Sequence, residues 1–595
     1  MERPGRWVLI AKRADFNAIA RKYKISPVLA RLMVNRDIRD DASIRKYLYG
    51  TIGDLYSPLS MKDIFKGAQI IEKYVRENRP VAIASDFDVD GIFSSYILYR
   101  AFERIGCRPE IFTPDRVKEG YGLNERIVNE AYEKGAGLIV TCDNGIAAFD
   151  AIKAAKALGM SVIVTDHHDI PYEEDENGNR KVLRSMADAI INPKQEDCAY
   201  TFKKLCGAGV AFKLVQVLYD RFGIPDEELF GLIQYVAVAT VADVMDLEDE
   251  NRIFVKYGLR QLSHTDNPGL RALIQVNSLS PDRISAYHIG FVIGPCFNAA
   301  GRLDTVKIAL DLLMCKDEQR AIHLAMELKA MNESRKEMTA EGFRQAVDII
   351  ENSDIQNDKI MLVLLENCHE SIVGIIAGRI KEKYNQPVIV FTKVGNGNIK
   401  GSARSIEAYN MFEGLMKCRD LLDKFGGHPM AAGMTLKEKN LEPLRRKLNA
   451  DTTLTERDLM PVVKVDVPMP IGYISFDLID ELELLEPFGK GNTKPVFAEK
   501  YFHILRARVV GKNQNVLKMS VCNDDHTMME AMYFGDVEAF DRFVSGIYGE
   551  EERKKMYTGQ GSRVELAMTY YPSVNEYMGT KKLQIVITGY CKIPR

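Results

Sequence analysis

Three apolar runs of strand length, Val81-Ala82-Ile83-Ala84, Leu138-Ile139-Val140-Thr141-Cys142 and Ser161-Val162-Ile163-Val164-Thr165, alternate with stretches of helical spacing such as Ala147 to Leu158. Continuously apolar strands suit a sheet covered on both faces, and helices between successive strands imply parallel order. From about residue 62 the pattern therefore predicts an α/β fold with a doubly wound parallel sheet. Ligands bind such sheets beyond the carboxyl ends of the strands. The first run leads into Ser85-Asp86-Phe87-Asp88-Val89-Asp90-Gly91, the second into Asp143 and the third into Asp166-His167-His168.

One aspartate after a strand is more often a helix N-cap than a ligand. Three such ends, one carrying paired histidines, make coincidental capping a poor account. Asp243, in Val241-Ala242-Asp243, follows the very apolar stretch Leu232 to Thr240, where a carboxylate is costly to bury unless paired or bound to metal. Carboxylates at alternate positions suit hard divalent cations. A calcium loop of the EF-hand kind fits poorly, because Gly91 leads straight into the helix-like Ile92-Phe93-Ser94-Ser95-Tyr96-Ile97-Leu98. Asp88, Asp90, Asp143, His167 and Asp243 together suit two ions of Mn²⁺ or Mg²⁺ with one carboxylate bridging, the arrangement that hydrolyses phosphoesters.

At 595 residues the chain is too long for one ordinary core. Residues 1 to 60 read as a small helical segment. Ten cysteines occur without a Cys-x-x-Cys pair, so neither a zinc ribbon nor a disulfide framework is indicated. A net charge of −3 argues against nucleic-acid binding by bulk positive charge while leaving room for a local basic channel. No signal-type apolar core follows Met1-Glu2-Arg3-Pro4-Gly5-Arg6 and no uncharged run is long enough to span a bilayer, so the expectation is a cytoplasmic protein without a membrane partner.

After the first lobe (61–310), helical spacing from Lys307 to Ile350 predicts a long connecting helix (311–350). A second α/β lobe (351–455) opens at the strand-like Ile360 to Leu365. It contains Gly401-Ser402-Ala403-Arg404 and Phe425-Gly426-Gly427-His428, which read either as tight turns or as phosphate-binding pieces. In the last region (456–595) Val564, Leu566, Met568 and Tyr570 alternate with Arg563, Glu565 and Thr569, which predicts a small β domain.

The order Asp-x-Asp-x-Asp-Gly, Cys142-Asp143-Asn144-Gly145, Asp166-His167-His168 and Val241-Ala242-Asp243 resembles the four motifs of the DHH phosphoesterase superfamily. Glu119 to Leu123, Ile293-Gly294-Pro295 with Asn298-Ala299-Ala300-Gly301-Arg302-Leu303, Gly401 to Ser405, Phe425 to Gly433 and Glu486 to Asn492 narrow the resemblance to its single-stranded-DNA-specific exonucleases, the RecJ family. The match runs from about residue 60 to the C-terminus.

The resemblance implies a 5′→3′ exonuclease that degrades single-stranded DNA to 5′-mononucleotides in DNA repair and recombination, using Mn²⁺ or Mg²⁺. It makes Asp88 and Asp90 the first ligands, Asp143 the bridge, His167 and Asp243 the remaining inner ligands and His168 a contact to the scissile phosphate. Asp86 is counted with the metal residues as an organiser of its loop. Ser402 and Arg404 would cap a 5′-terminal phosphate, Arg302 would reach that phosphate or the next, and Arg116 and His428 are further substrate candidates. It also implies a C-terminal β-barrel of the oligonucleotide-binding fold, whose aromatics Tyr501, Phe502, Tyr533, Phe534, Tyr570 and Tyr571 are mostly core, and whose Lys512 and Lys518 would follow a DNA backbone. A helicase and a single-strand-binding protein are implied partners. Where some members carry a histidine ligand to the outer ion, this chain has Ala84, which predicts weak holding of that ion. The alternatives are a DHH oligoribonuclease or cyclic-dinucleotide phosphodiesterase, which generally lack the C-terminal domain, a pyrophosphatase on the same first lobe, and a catalytically silent scaffold.

Overall fold

The computed structural model describes residues 5–116, 119–174, 180–303, 306–511, 514–577 and 579–593. Lys512 lies outside the described residues. Two compact units emerge, one of Tyr49–Leu454 with Pro487–Asn492, the other of Met1–Leu48, Thr455–Glu486 and Thr493–Arg595.

In the first of these, the strands Val81–Ala84, Leu138–Cys142 and Ser161–Thr165 form a five-stranded sheet with Glu110–Phe112 and Ala189–Ile191, every pairing parallel. Its spatial order puts Glu110–Phe112 outside Val81–Ala84, followed by Leu138–Cys142, Ser161–Thr165 and Ala189–Ile191. The strand order reverses between Val81–Ala84 and Leu138–Cys142, so the crevice for a ligand opens beyond the carboxyl ends of those two strands. Both faces are covered. Ile83 and Val140 pack with Ile64, Ile71, Phe93 and Phe212, whereas Ala82, Ile139 and Val162 pack with Ile127, Val128 and Ile152. The expected helix from Ala147 runs Phe149–Ala157.

The connecting helix spans Glu318–Glu351, a length of ~50 Å at 1.5 Å per residue. Its start is set by Asp317, whose side chain accepts from the Arg320 N–H and separates it from the shorter helix Lys307–Met314. Ala321, Ala325 and Leu328 pack into the first lobe, and Ala346 and Ile350 pack into the second. The long helix therefore joins two cores by burying one end in each.

The second lobe is a mixed five-stranded sheet in the order Lys424–His428, Ala431–Lys437, Asn398–Arg404, Val388–Gly395, Met361–Leu365. Both glycine-rich pieces are strand, not tight turn. Gly401 to Arg404 pairs with Val388 to Phe391 on one side and Ala431 to Met434 on the other, and Gly426-Gly427-His428 pairs with Ala431 to Gly433. The turn falls instead at Pro429-Met430.

The other unit contains a β-barrel of Phe497–Val510, Val516–Cys522, Met528–Tyr533, Thr580–Cys591 and Glu565–Tyr577, closed by pairing of the first with the last. Val564, Leu566, Met568 and Tyr570 are fully buried, as the alternation predicts, but Ala567 and Thr569 are buried too. Thr569 Oγ1 accepts from Thr588 Oγ1, so the outward face of this stretch is also occupied. Phe502, Tyr570 and Tyr571 are core, while Tyr501 and Phe534 are exposed. Lys518 pairs with Glu530.

The N-terminal segment does not stand alone. The strand Arg6–Leu9 pairs in parallel with Val462–Val465, and Asn35 Nδ2 donates to the Asp466 carbonyl at 3.1 Å. Helices as short as Phe16–Tyr23 and Pro27–Asn35 cannot enclose a core of their own, which is why they share one with residues far along the chain.

Candidate metal centre and phosphate cleft

Motif one turns sharply after Ala84. Asp88 is the N-cap of the helix Val89–Arg104, accepting from the Gly91 N–H at 3.1 Å, so this candidate ligand also caps a helix. Asp90, in the first turn of that helix, is buried. Its carboxylate accepts from the Gly207 N–H at 2.6 Å and the Ala208 N–H at 2.7 Å, the first amides of the helix Gly207–Phe222. Free N–H groups at a helix start favour an anion, and here two of them meet the buried carboxylate of Asp90.

Asp143 has a left-handed backbone, φ +60°, and Val244, directly after Asp243, has φ +55°. A β-branched residue in that region costs of order 1–2 kcal/mol. Such strain is tolerated where the exit direction of the chain matters. Asp243 ends the helix Ile233–Ala242 rather than a strand.

Three carboxylates converge on His167 Nε2, which lies 3.0 Å from Asp143 Oδ1, 3.6 Å from Asp90 Oδ2 and 3.7 Å from Asp243 Oδ2. The geometry is not that of hydrogen bonding: buried Asp143 Oδ1 has no hydrogen-bond partner, nor does buried His167 Nδ1. On the other side of Asp143, carboxylate oxygens of Asp86, Asp88 and Asp143 lie within 4.8 Å of one another, and Asp86 Oδ2 is buried without a partner. Orphaned buried oxygens facing one another are uncommon in proteins and fit a pair of cations sharing Asp143.

The electrostatics agree. Burial, with repulsion from Asp88, pushes Asp86 up to about 8, and burial with repulsion from Asp90 pushes Asp243 up to about 8. Asp143 rises well above the carboxylate range through burial and the charges of Asp90 and Asp88. His168 behaves in the opposite sense. Burial would lower it, but the Asp166 carboxylate, 2.7 Å from its Nδ1, holds it up at about 9.

Asp166 orients rather than coordinates. It accepts from the backbone N–H groups of Ile146 (2.9 Å), His167 (2.7 Å) and His168 (3.1 Å), which locks the histidine pair. Sequence reading passed over this role, and over Gly207, whose bareness lets the helix start approach Asp143. Tyr121, in the Glu119 to Leu123 motif, donates to the Asp143 carbonyl and lies 3.2 Å from the His168 ring nitrogens. Lys490 belongs to this unit as well. Its carbonyl accepts from the Leu247 N–H at 2.7 Å and its Nζ lies 3.7 Å from Asp246. Ala84 leaves no imidazole at its position; its carbonyl accepts from Asn144 Nδ2.

A cleft of about 240 Å³ is lined by Arg116, Arg302, Ser402, Arg404, Lys400 and the first turns of the helix Glu370–Tyr384. Arg302 Nη1 donates to the Ser371 carbonyl, tying the first lobe to the second. Arg404 Nη1 donates to Ser402 Oγ at 3.1 Å. Burial, reinforced by repulsion from Arg116 and Arg335, pulls Arg302 down to about 9, and burial lowers Arg116 and Arg404. Crowded, partly dehydrated guanidinium groups beside a helix N-terminus form an anion site. Arg116 stacks 4.5 Å from the ring of Phe87, between Asp86 and Asp88, so the cleft begins beside motif one. His428 does not line it. It is exposed on the edge strand, in register with Ala431 and through it with Arg404, which places all three on one sheet face. His369 caps the helix Glu370–Tyr384, accepting from the Ser371 N–H.

Comparison with known proteins adds three matches along the chain: the DHH family, N-terminal domain, over residues 80–240, the DHHA1 domain over 357–452 and the RecJ OB domain over 465–589. The single-stranded-DNA-specific exonuclease RecJ of Bacillus subtilis (strain 168) is 34% identical over 586 residues, 98% of this chain and 70% of the relative. Among solved structures, RecJ of Thermus thermophilus in complex with Mn²⁺ aligns with a TM-score of 0.80 at 24% identity, over 99% of this chain and 80% of that one. A structure of exonuclease RecJ bound to manganese aligns at 29% identity with a TM-score of 0.57, over 67% of this chain and 96% of that one.

Proposed function

This chain belongs to the RecJ family, and from that premise we propose that it removes nucleotides stepwise from the 5′ end of single-stranded DNA, releasing 5′-mononucleotides, with two Mn²⁺ or Mg²⁺ ions. One observation carries the reading beyond family membership: Arg116, which lines the arginine-rich cleft, lies over the ring of Phe87 between Asp86 and Asp88, so an end held in the cleft would present its next phosphodiester to the carboxylate cluster.

Asp90, His167 and Asp243 would hold the inner ion, Asp86 and Asp88 the outer one, and Asp143 both. In this assignment Asp86 is a ligand, filling part of the gap left by Ala84. Bound there, such ions would supply an activated water and neutralise the leaving oxygen. His168, kept protonated by Asp166, donates to a nonbridging oxygen of the scissile phosphate, and Tyr121 fixes the angle of its ring. Arg302, Arg404 and Ser402 hold the terminal phosphate, with Arg116 between the two sites. A grip on the terminal phosphate beside the carboxylate cluster would disfavour internal cutting. His428, on the same sheet face, lies where a displaced product or terminal nucleotide would pass.

The division of labour follows: residues 61–310 for hydrolysis, 311–350 as a spacer, 351–455 for the 5′ end, and 456–595 for the trailing strand, with 1–60 as its support. A helicase and a single-strand-binding protein would supply the strand, in DNA repair and recombination in the cytoplasm. No helix among the described residues is long and apolar enough to cross a membrane. Digestion of end-labelled single strands of both polarities with Mn²⁺, Mg²⁺ or chelator tests the reading. Mononucleotide release from the 5′ end only, dependent on metal, is expected; preference for a dinucleotide over a long strand would overturn it in favour of an oligoribonuclease or cyclic-dinucleotide phosphodiesterase.

A further inference from the structure

Tyr287 and Phe291 are 64% and 66% exposed, and their rings stack on each other with centroids 4.9 Å apart and planes 29° from parallel. Two large apolar rings displayed side by side are costly on a surface that buries neither. They stand at the beginning of a continuous helical stretch made of Ala286–His288, a π-helical turn Ile289–Ile293 and the helix Gly294–Leu303. The π turn is uncommon geometry that recurs at functional sites. Here Ile289 and Ile293 are fully buried beneath it while Tyr287 and Phe291 face out.

The underside of this stretch meets the last turn of the helix that ends at Asp243. A Cβ on Gly290 would lie 3.7 Å from Val241 Cγ1, and one on Gly294 would lie 3.2 Å from Ala242 Cβ. The far end of the same stretch carries Arg302, in the phosphate cleft. At about 1.5 Å per residue the aromatic pair lies roughly 15 to 22 Å along the axis from Arg302. At 3.4 Å or more per nucleotide of a strand, that is roughly three to six nucleotides.

A helix carrying two cations packs beside the start of this stretch. Val255 and Leu259, on the helix Asp249–Leu262, pack in one apolar cluster with Ala286 and Val241. The residues next to them, Lys256 and Arg260, form no ion pair among the described residues, and the Arg260 guanidinium lies 5.6 Å over the ring of Tyr257. Burial, with repulsion from Arg252 and Arg260, lowers Lys256, and no carboxylate offsets this.

We propose that Tyr287 and Phe291 are a stacking platform for the bases of single-stranded DNA a few nucleotides beyond the scissile phosphate, with Lys256 and Arg260 attracting the accompanying phosphates. Exposed stacked rings bind single strands without base preference, since every base has a π face. The helix that carries the platform also carries Arg302, so it acts as a ruler between the held end and the trailing strand. This inference rests on the exonuclease reading.

The test compares wild type with Y287A/F291A, and with Y287W as the conservative replacement, on a 5′-phosphorylated 30-mer and a 5′-phosphorylated trinucleotide in Mn²⁺. The double variant should raise KM for the 30-mer by about tenfold with kcat little changed. It should leave the trinucleotide, which ends short of the platform, with wild-type kinetics, and Y287W should keep the wild-type 30-mer KM. A 30-mer made abasic from the fourth position onward should be degraded alike by wild type and double variant. An unchanged 30-mer KM would overturn the platform while leaving the nuclease reading intact and pointing the patch toward a protein partner. Equal loss on both substrates would assign the rings a structural role. If wild type fails to degrade the 30-mer, both readings fall.

Discussion

The backbone N–H of Gly207 donates to Oδ2 of Asp90 at 2.6 Å, across 117 residues of chain, while the same glycine presses against Asp143. A Cβ at position 207 would lie 2.6 Å from the Asp143 Cβ. One residue thus holds one candidate ligand by a hydrogen bond and spaces another by its lack of a side chain.

G207A should therefore separate positioning from folding. The methyl group must displace Asp143 or the helix start, and a shift of about 1 Å at a reacting centre can cost about 100-fold in rate. Overpacking costs about 1–3 kcal/mol, which a lobe of this size survives. Turnover of single-stranded DNA and a thermal melt check both. Full activity in this variant would mean that the placement of Asp143 is not critical.

D143N should abolish hydrolysis and yet stabilise the metal-free protein. The wild-type carboxylate is buried beside Asp88 and Asp90 with an unpartnered oxygen, so neutralising it removes repulsion. A gain of about 1–3 kcal/mol is expected in chelator, together with loss of most of the stabilisation that Mn²⁺ confers on wild type. Melting curves with and without Mn²⁺ measure it; a lower melting point in chelator would argue that Asp143 has a structural partner.

The metal-free protein should lose stability as pH rises from about 5 to 8. Asp86 and Asp243 titrate near 8 in the fold but near 4 when unfolded, so in this window the folded state binds more protons and each unit of pH favours unfolding. Saturating Mn²⁺ should flatten the slope, because a bound cation displaces those protons. Calorimetric Mn²⁺ titrations at pH 7 in buffers of different ionisation enthalpy should reveal proton release. Equal heats in all buffers would contradict the coupled carboxylates.

G374A should weaken recognition of the 5′ end. The methyl group would lie 2.9 Å from Ser402 Oγ and 3.1 Å from Arg404 Nη2, intruding where the phosphate is expected. KM for a 5′-phosphorylated strand should rise by roughly tenfold, about the worth of one charge-assisted hydrogen bond, while the 5′-hydroxyl strand changes little. Parallel loss on both ends would place the terminal phosphate elsewhere.

Much of the metal lobe was legible in the chain because its signals are local. A strand buried on both faces is apolar throughout, and the loop after it begins with the residues it presents, so Asp86 to Asp90, Asp143 and His167 could be read in place. Asp166 was visible but its role was not, since orienting depends on backbone amides of residues such as Ile146. The glycine-rich pieces could be read either as turns or as phosphate-binding pieces because glycine also suits a strand over which a ligand or helix comes close, as Gly374 of the packed helix does over Ser402. Tyr287 and Phe291 at i, i+4 look like an ordinary core stripe; only exposure in the folded chain distinguishes them.

By itself, the sequence determined the parallel sheet, the ends of strands that carry acids and histidines, and the family. These follow from periodicity and from residue order, which need no partner element. The tertiary structure alone decided that Gly207 supports Asp90, that Arg302 reaches Ser371, that the first helices share a core with the C-terminal region, and that His428 stays outside the cleft. Each of these joins surfaces distant in the chain, and which surfaces meet is set by the packing of whole elements, a quantity no local pattern of residues contains.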